Sequence, residues 1–228
     1  MKLHLIGTSH IAQESSKEIR KYIEEEKPDL IAVELDFQRA AALLQEENSE
    51  LSLSHIFRFG VKGYLFAKVG QYLQQKLGKM VGVSPGAEMK TALELARKHK
   101  LEVAFIDQPI HITLRRFSSS LTWKEKGRFV ADLLSGLFFP RQQLKKLGLS
   151  KWDLKKVPER EMISSLMKEL KKRYPNVYRV LVEERNKYMV RQLISLLRHH
   201  PGKKILTVVG AGHKEGMEEL LRKVEVVG

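Results

Sequence analysis

The chain has 228 residues, 43% hydrophobic and 30% charged, which describes a folded domain with a substantial core and excludes a disordered chain. Cysteine is absent, so disulfides, thiolate metal sites and cysteine nucleophiles are excluded, and any metal must be held by His, Asp, Glu or water. With 41 Lys and Arg against 27 Asp and Glu the net charge is +14, which favours anionic partners such as nucleic acid, an anionic membrane surface or an acidic peptide.

Leu3 to Ile6 is the first apolar run of strand length, and Ser15 to Glu26 follows with a helical pattern that ends before Pro28. Leu30 to Leu35 is the second strand. Residues His55 to Met80 interleave Phe57, Tyr64, Phe66 and Tyr72 with Arg58, Lys62, Lys68 and Lys76, an amphipathic helical pair that serves either as core or dimer face or as a membrane-surface element. Glu88 to Lys100, after Pro85-Gly86, reads as helix, and Leu101 to Ile106 as the third strand. Ile112 to Tyr174 holds further helix, with a break at Phe138-Phe139-Pro140 and a basic run from Arg141 to Arg173 that reads as a solvated face. A helix over Val177 to His199, a strand over Ile205 to Val209 and a helix over Lys214 to Lys223 follow, and Val224 to Val227 is expected as an added edge strand. This alternation predicts an α/β fold with a mainly parallel central sheet flanked by helices. A single domain over residues 1–228 is expected, with helical insertions at about 55–80 and 112–175. No apolar stretch approaches the roughly 20 residues that span a bilayer, so the expected setting is cytoplasmic.

Two strands end in the same device, Gly-x-x-His followed by a helix. The first is Ile6-Gly7-Thr8-Ser9-His10 and the second is Val209-Gly210-Ala211-Gly212-His213. The other two strands end in acids, Val33-Glu34-Leu35-Asp36 and Ile106-Asp107. In an open parallel sheet all carboxyl ends lie on one edge, so two imidazoles and up to three carboxylates converge there. On a regular strand Glu34 and Asp36 would share a face. Without thiolates this donor set, two imidazoles with strand-end carboxylates, suits a divalent cation such as Mn, Co or Zn. A bound cation generates a nucleophilic water and polarises a carbonyl, which is the chemistry of peptide or amide hydrolysis. Spacing leaves open whether Glu34 is a ligand or the base that takes the proton from that water.

In Glu183-Glu184-Arg185-Asn186, charges interrupt an apolar helical stripe, which calls for a buried ion pair or a wall of the active site. Arg39, Arg115 and Arg116 lie just beyond strand-end acids and are candidates for holding a substrate carboxylate or an oxyanion, with Asp36 and Asp107 beside them.

Several segments together resemble the TraB/PrgY family in an archaeal-looking form. They are Gly7-Thr8-Ser9-His10-Ile11, Pro28 to Asp36 with Arg39, Pro85-Gly86-Ala87-Glu88-Met89, Ile106-Asp107 with Ile112-Thr113-Leu114-Arg115-Arg116, Glu184-Arg185-Asn186 with Tyr188-Met189, and Val208 to His213. The family is implicated in shutting off peptide pheromones and is similar to the Tiki metalloproteases and, more distantly, to the erythromycin esterase/ChaN-like fold. The resemblance implies a metal-dependent protease-like site built on His10, His213 and Glu34, with Glu88, Arg115, Glu184, Arg185 and Asn186 as further catalytic candidates. Gln108 departs from the pattern, in which arginine follows the aspartate. Many relatives continue into hydrophobic C-terminal helices, so the chain is expected to be either the soluble domain of a membrane-anchored protein or a short version.

The function expected is a metal-dependent hydrolase acting on a peptide or protein substrate, with a homodimer and an anionic membrane as further partners. The rival is a non-catalytic module that captures a peptide or signal and carries a structural metal. A second rival, phosphate or nucleotide binding at Gly210-Ala211-Gly212 and Gly216, has a spacing one residue longer than a dinucleotide fingerprint. No Gly-x-Ser-x-Gly elbow supports a serine hydrolase, and nucleic acid is disfavoured as a partner.

Overall fold

The computed structural model describes residues 2–8, 13–44, 87–125, 127–128, 131 and 160–225. Within them, strand β1 (Lys2–Thr8) leads through helix α1 (Gln13–Glu26) to β2 (Leu30–Val33), and then to α2 (Phe37–Leu44), α3 (Ala87–His99) and β3 (Glu102–Phe105). Helices α4 (Ile110–Ser120), α5 (Arg160–Arg173) and α6 (Pro175–Tyr178), a π-helical turn over Arg179–Glu183 and helix α7 (Glu184–His199) precede β4 (Lys204–Gly210) and α8 (Ala211–Glu225). The amphipathic stretch at 55–80 and the break at Phe138-Phe139-Pro140 lie outside the described residues. Of the edge strand expected over Val224 to Val227, the first half is corrected: Val224 and Glu225 are the last residues of α8, because Met217, Leu221 and Val224 extend its helical apolar pattern to that point, and Val226 and Val227 lie outside the described residues.

All four strands are parallel, in the order β1-β4-β2-β3. The last strand is therefore inserted between the first two, and the two glycine-terminated strands are neighbours, with Thr8 in register with Gly210. Leu30-Ile31-Ala32-Val33 and Ile205 to Val209 are buried throughout, as uninterrupted apolar runs must be when helices cover both faces of a sheet. One face packs Ile19 and Ile23 of α1 and Ala92 and Ala96 of α3 against Ile31, Val33, Leu206 and Val208. The other packs Met189 and Leu193 of α7 and Met217 of α8 against Leu30, Ala32, Ile205 and Val209. Helices leaving β1 and β2 thus cover one face and the helix leaving β4 the other, so the crossover changes side at β4.

Local chemistry sets where several helices begin. Asp36 accepts hydrogen bonds at Oδ1 from the backbone N–H groups of Gln38 (2.9 Å) and Arg39 (3.0 Å), and at Oδ2 from that of Ile110 (3.1 Å), so one carboxylate caps both α2 and α4. Thr122 and Glu125 form a reciprocal capping box, in which Glu125 Oε2 accepts from Thr122 N–H and Thr122 Oγ1 accepts from Glu125 N–H, each at 3.2 Å. The same Glu125 carboxylate takes the Asn176 N–H at 2.8 Å, which ties this segment to the start of α6 just ahead of the π-helical turn. No described helix is long and apolar enough to cross a membrane.

Two adjacent residues of β4 should respond to substitution with opposite sign. Leu206 is fully buried, and Leu206→Ala is expected to cost about 2–5 kcal/mol through lost contacts and a cavity. Thr207 is fully buried too, and its Oγ1 has no hydrogen-bond partner, so the near-isosteric Thr207→Val should gain about 1 kcal/mol by removing an unsatisfied hydroxyl. Denaturant melts of the two variants, read as midpoint shifts at unchanged slope, check both signs.

Candidate functional site

Strands β2, β3 and β4 end side by side, and their ends deliver Glu34, Asp107 and His213 to one buried cluster. The ladder continues past β2, with Glu34 N–H donating to Val208 O at 3.0 Å and Asp107 N–H to Leu35 O at 3.2 Å, so both acids are anchored by backbone. Because β2 ends at Val33, Glu34 and Asp36 are not on a regular strand and do not share a role. The expected pairing of these two acids on one strand face is corrected: Glu34 faces the cluster, while both Asp36 oxygens are taken by helix caps.

The centre of the cluster is the Arg185 guanidinium, whose side chain is 14% exposed. Its Nε and Nη2 donate to the two oxygens of Asp107, at 3.0 and 2.8 Å, in the forked geometry that a planar guanidinium shares with a carboxylate. Nη2 also donates to Glu34 Oε1 in a short hydrogen bond, and Nη1 contacts His213 Nε2 at 3.0 Å and the Leu181 carbonyl at 3.2 Å. Arg39, 38% exposed, adds a bond from Nη1 to Asp107 Oδ2 at 2.8 Å. Two buried carboxylates therefore meet two guanidinium groups, and their charges balance.

Burial on its own would raise the Glu34 pKa. The His213 ring, the Arg185 guanidinium, the Gly210 N–H that donates to Oε2 at 2.6 Å, and Arg39 outweigh it and hold the value at about 2, below the ordinary 4.5. His213 contributes to this shift as a cation, and Arg185, Gly210 and Arg39 act in the same direction. Burial likewise disfavours the Arg185 cation, yet Glu34 and Asp107 raise its pKa further above the usual arginine range.

His213 sits in the first turn of α8, which begins at Ala211 directly from β4 rather than after a separate turn as its sequence pattern implied. Its Nδ1 lies 2.6 Å from Asn186 Oδ1, and its Nε2 faces Arg185 Nη1 and, at 3.3 Å, Glu34 Oε1. An amide oxygen only accepts, so Nδ1 carries a proton, while Nε2 faces both a guanidinium, which only donates, and a carboxylate, which only accepts. The contact with Asn186 depends on Gly216, where a Cβ would lie 2.4 Å from Asn186 Nδ2. Arg185 and Asn186 follow the π-helical turn, in which Glu184 N–H bonds to Arg179 O, five residues back. Such a turn inserts one residue into the helix and shifts the faces of all that follow, and it is often found at functional sites.

The other predicted residues fall elsewhere. Glu184 turns outward and forms a two-point ion pair with Arg116, at 2.7 and 3.1 Å. Arg115 is exposed on α4. Glu88 is buried in the first turn of α3. Gln108, where the family pattern has arginine, holds the cluster by its backbone N–H, which donates to Asp107 Oδ1 at 2.8 Å, while its side-chain amide bonds Thr113 Oγ1 at 3.0 Å. His10 lies outside the described residues, two positions beyond Thr8. Among the described residues no group of three or more His, Asp or Glu is arranged to hold a metal ion. Sequence reading missed the hub role of Arg185, the allowance made by Gly216 and the double cap by Asp36. For Asp36 a signal existed, since an aspartate directly before a helix is a favoured cap.

Three outcomes are expected. Because the folded-state pKa of Glu34 is depressed, its ionised form contributes stability above pH 4.5, and that contribution is lost as the pH falls toward about 2. Glu34→Gln should therefore flatten the acid limb of the stability profile. Arg185→Met should cost about 3–5 kcal/mol by leaving two buried carboxylates without their shared cation, and Arg185→Lys should recover little, because an ammonium lacks the planar fork. Gly216→Ala should displace the Asn186 amide and release His213 Nδ1; nitrogen-resolved NMR of the His213 ring should show the same loss of the fixed tautomer in Gly216→Ala and Asn186→Ala.

The sequence model of the TraB/PrgY/gumN family matches residues 1–228. The uncharacterized protein MJ1365 of Methanocaldococcus jannaschii is 35% identical over 225 residues, which is 98% of this chain and 54% of that protein. A TraB domain-containing protein of Homo sapiens is 26% identical over 246 residues, covering 96% of this chain and 62% of its own length. The chain thus spans about half to three fifths of these relatives. With the family model matched from end to end, the chain belongs to the TraB/PrgY/gumN family.

Proposed function

We propose that this chain is a hydrolase of peptide or amide bonds that uses a divalent cation, Mn, Co or Zn, held by His213 and Glu34 with His10 from the neighbouring strand end. The observation that carries this reading is the 3.3 Å separation of His213 Nε2 and Glu34 Oε1. Two atoms each about 2.1 Å from a tetrahedral cation lie roughly 3.4 Å apart, so the described pair fits as two of its ligands. The Asn186 amide supports the same reading, since a ligating imidazole commonly has its other nitrogen tied to an acceptor. When bound, the metal would lower the pKa of a water and polarise the scissile carbonyl.

The chain's own residues do the rest. Asn186 keeps the proton on Nδ1, which makes Nε2 the ring nitrogen turned to the cluster. Gly210 N–H fixes Glu34 Oε2 and keeps the carboxylate ionised, so that Oε1 is the oxygen presented. Asp107 grips Arg185 by Nε and Nη2 and sets Nη1 against His213 Nε2 and the Leu181 carbonyl, so that the guanidinium charge lies beside the reacting edge. A setting without disulfide chemistry, the cytoplasm, is part of this reading.

A specific observation favours a second reading. The Arg185 guanidinium already lies across both Nε2 and Oε1 and balances the charge of the cluster. His213 would then act as a general base without metal.

Cleavage of a quenched fluorescent peptide library in the presence of Mn, Co, Zn or EDTA, with metal binding followed by calorimetry, tests both. The metal reading expects calorimetric binding and turnover abolished by EDTA, with His10→Ala, His213→Ala and Glu34→Gln each lowering turnover by about 100-fold or more. Turnover that persists in EDTA, with no heat of metal binding, would select the second reading, and no turnover under any condition would sink both.

A further inference from the structure

Away from the carboxyl edge, the flank of β1 carries an open groove of about 660 Å³, within the size range of ligand sites. Its floor is formed by Leu3 and Leu5 of β1, Ile194 and Leu197 near the end of α7, and Leu221 of α8. Only Leu5 of these is fully buried, so packing of the chain leaves apolar surface available there. Arg198, Lys214 and Arg222 stand along the groove, where Glu218 is the one acid; its carboxylate lies 4.0 Å from Lys214 and its carbonyl takes the Arg222 Nε–H at 3.4 Å. The groove is therefore apolar at its floor and cationic at its rim.

Two further observations give it a direction. Among the described strands β1 is outermost, with one edge paired to β4. At its upper end the stem of Lys214 crosses β1 so closely that a Cβ at Gly7 would come within 2.8 Å of it, and the next residue, Thr8, ends the strand beside Gly210 and the bound Glu34. An extended chain laid along β1 would lead from the groove to the cluster.

We infer that the groove binds an extended peptide segment as an added strand along the edge of β1 that no described strand pairs, with every second side chain entering the groove, apolar ones on the leucine floor and acidic ones against Arg198 and Arg222. This rests on the reading of the substrate as a peptide. Strand addition uses main-chain hydrogen bonds for affinity and pockets at every second side chain for selection, which matches an edge strand beside an apolar groove. An acyl chain would gain most from an enclosed tunnel and would leave the strand edge unused, whereas the groove is only partly enclosed.

The test is fluorescence anisotropy of a labelled eight-residue peptide, Leu-Ser-Glu-Ser-Leu-Ser-Glu-Ser, whose one face alternates Leu and Glu, titrated into the full chain in EDTA so that no metal-dependent cleavage occurs. A strand directs the N–H of every second residue to one side. Of two versions of the peptide, one N-methylated at all Leu and Glu and one at all Ser, a single version should therefore lose about tenfold or more in affinity. The double charge reversal Arg198→Glu with Arg222→Glu, at exposed positions that leave the fold intact by thermal melt, should weaken binding by about tenfold or more, and Lys in place of Glu in the peptide should do the same. Equal binding of both methylated peptides overturns strand addition. Palmitate binding in the groove with no peptide binding overturns it in favour of an amphiphile. Peptide binding without cleavage under any metal leaves the docking site standing while the hydrolase reading fails, and cleavage by a chain that never binds the Leu-Glu peptide does the reverse.

Discussion

Two carboxylates buried at neighbouring strand ends would repel each other and destabilise the fold unless a cation lies between them, and the Arg185 guanidinium meets that demand. It joins Glu34 after β2, Asp107 after β3 and His213 after β4, groups that lie 28 to 151 positions from it along the chain. A flexible ammonium would reach one oxygen at a time. The planar fork reaches both oxygens of Asp107 while a second edge remains for Glu34 and the imidazole. Since a buried ion pair is seldom more stabilising than apolar packing of equal volume, an arrangement this polar at the mouth of the sheet is better explained by chemistry than by stability.

Backbone departures aim these side chains. The π-helical turn ahead of α7 shifts the helix face by one residue, so that Arg185 and Asn186 point into the cluster while Glu184 turns out to Arg116. Gly216 lets α8 approach the Asn186 amide closely enough for that amide to hold the His213 ring. Gly7 does the equivalent for β1, allowing the Lys214 stem to cross the strand. Each is a place where an ordinary side chain would force something to move, and each borders the site rather than the core.

Asp36 shows how the same edge is braced. It has no part in the charge cluster, yet its caps fix the first turns of α2 and α4. Those helices carry Arg39, which reaches Asp107, and Arg116, which reaches Glu184. The rim is thus built from strand-end acids of two kinds, one set neutralised by arginine and one used to start helices.

The alternation of apolar runs and helical patterns was enough to predict a parallel α/β sheet, because runs such as Leu30 to Val33 are buried on both faces and tolerate no polar residue. Gly-x-x-His and the strand-end acids pointed to the carboxyl edge, since every parallel strand ends there. The edge strand expected from Val224 failed for a local reason: a short apolar run at the end of an amphipathic helix has the same composition as a strand. Strand order is a long-range matter, and only the tertiary structure decided that β4 lies between β1 and β2, placing the two glycine-terminated strands side by side. It alone separated Glu34 from Asp36, and Arg185 from Glu184, because adjacent residues differ in role by which way the backbone turns them, and that depends on a π-helical turn and a strand end that no spacing rule encodes. The residue types were in the sequence; their division into cluster, cap and rim came from the packing of segments far apart along the chain.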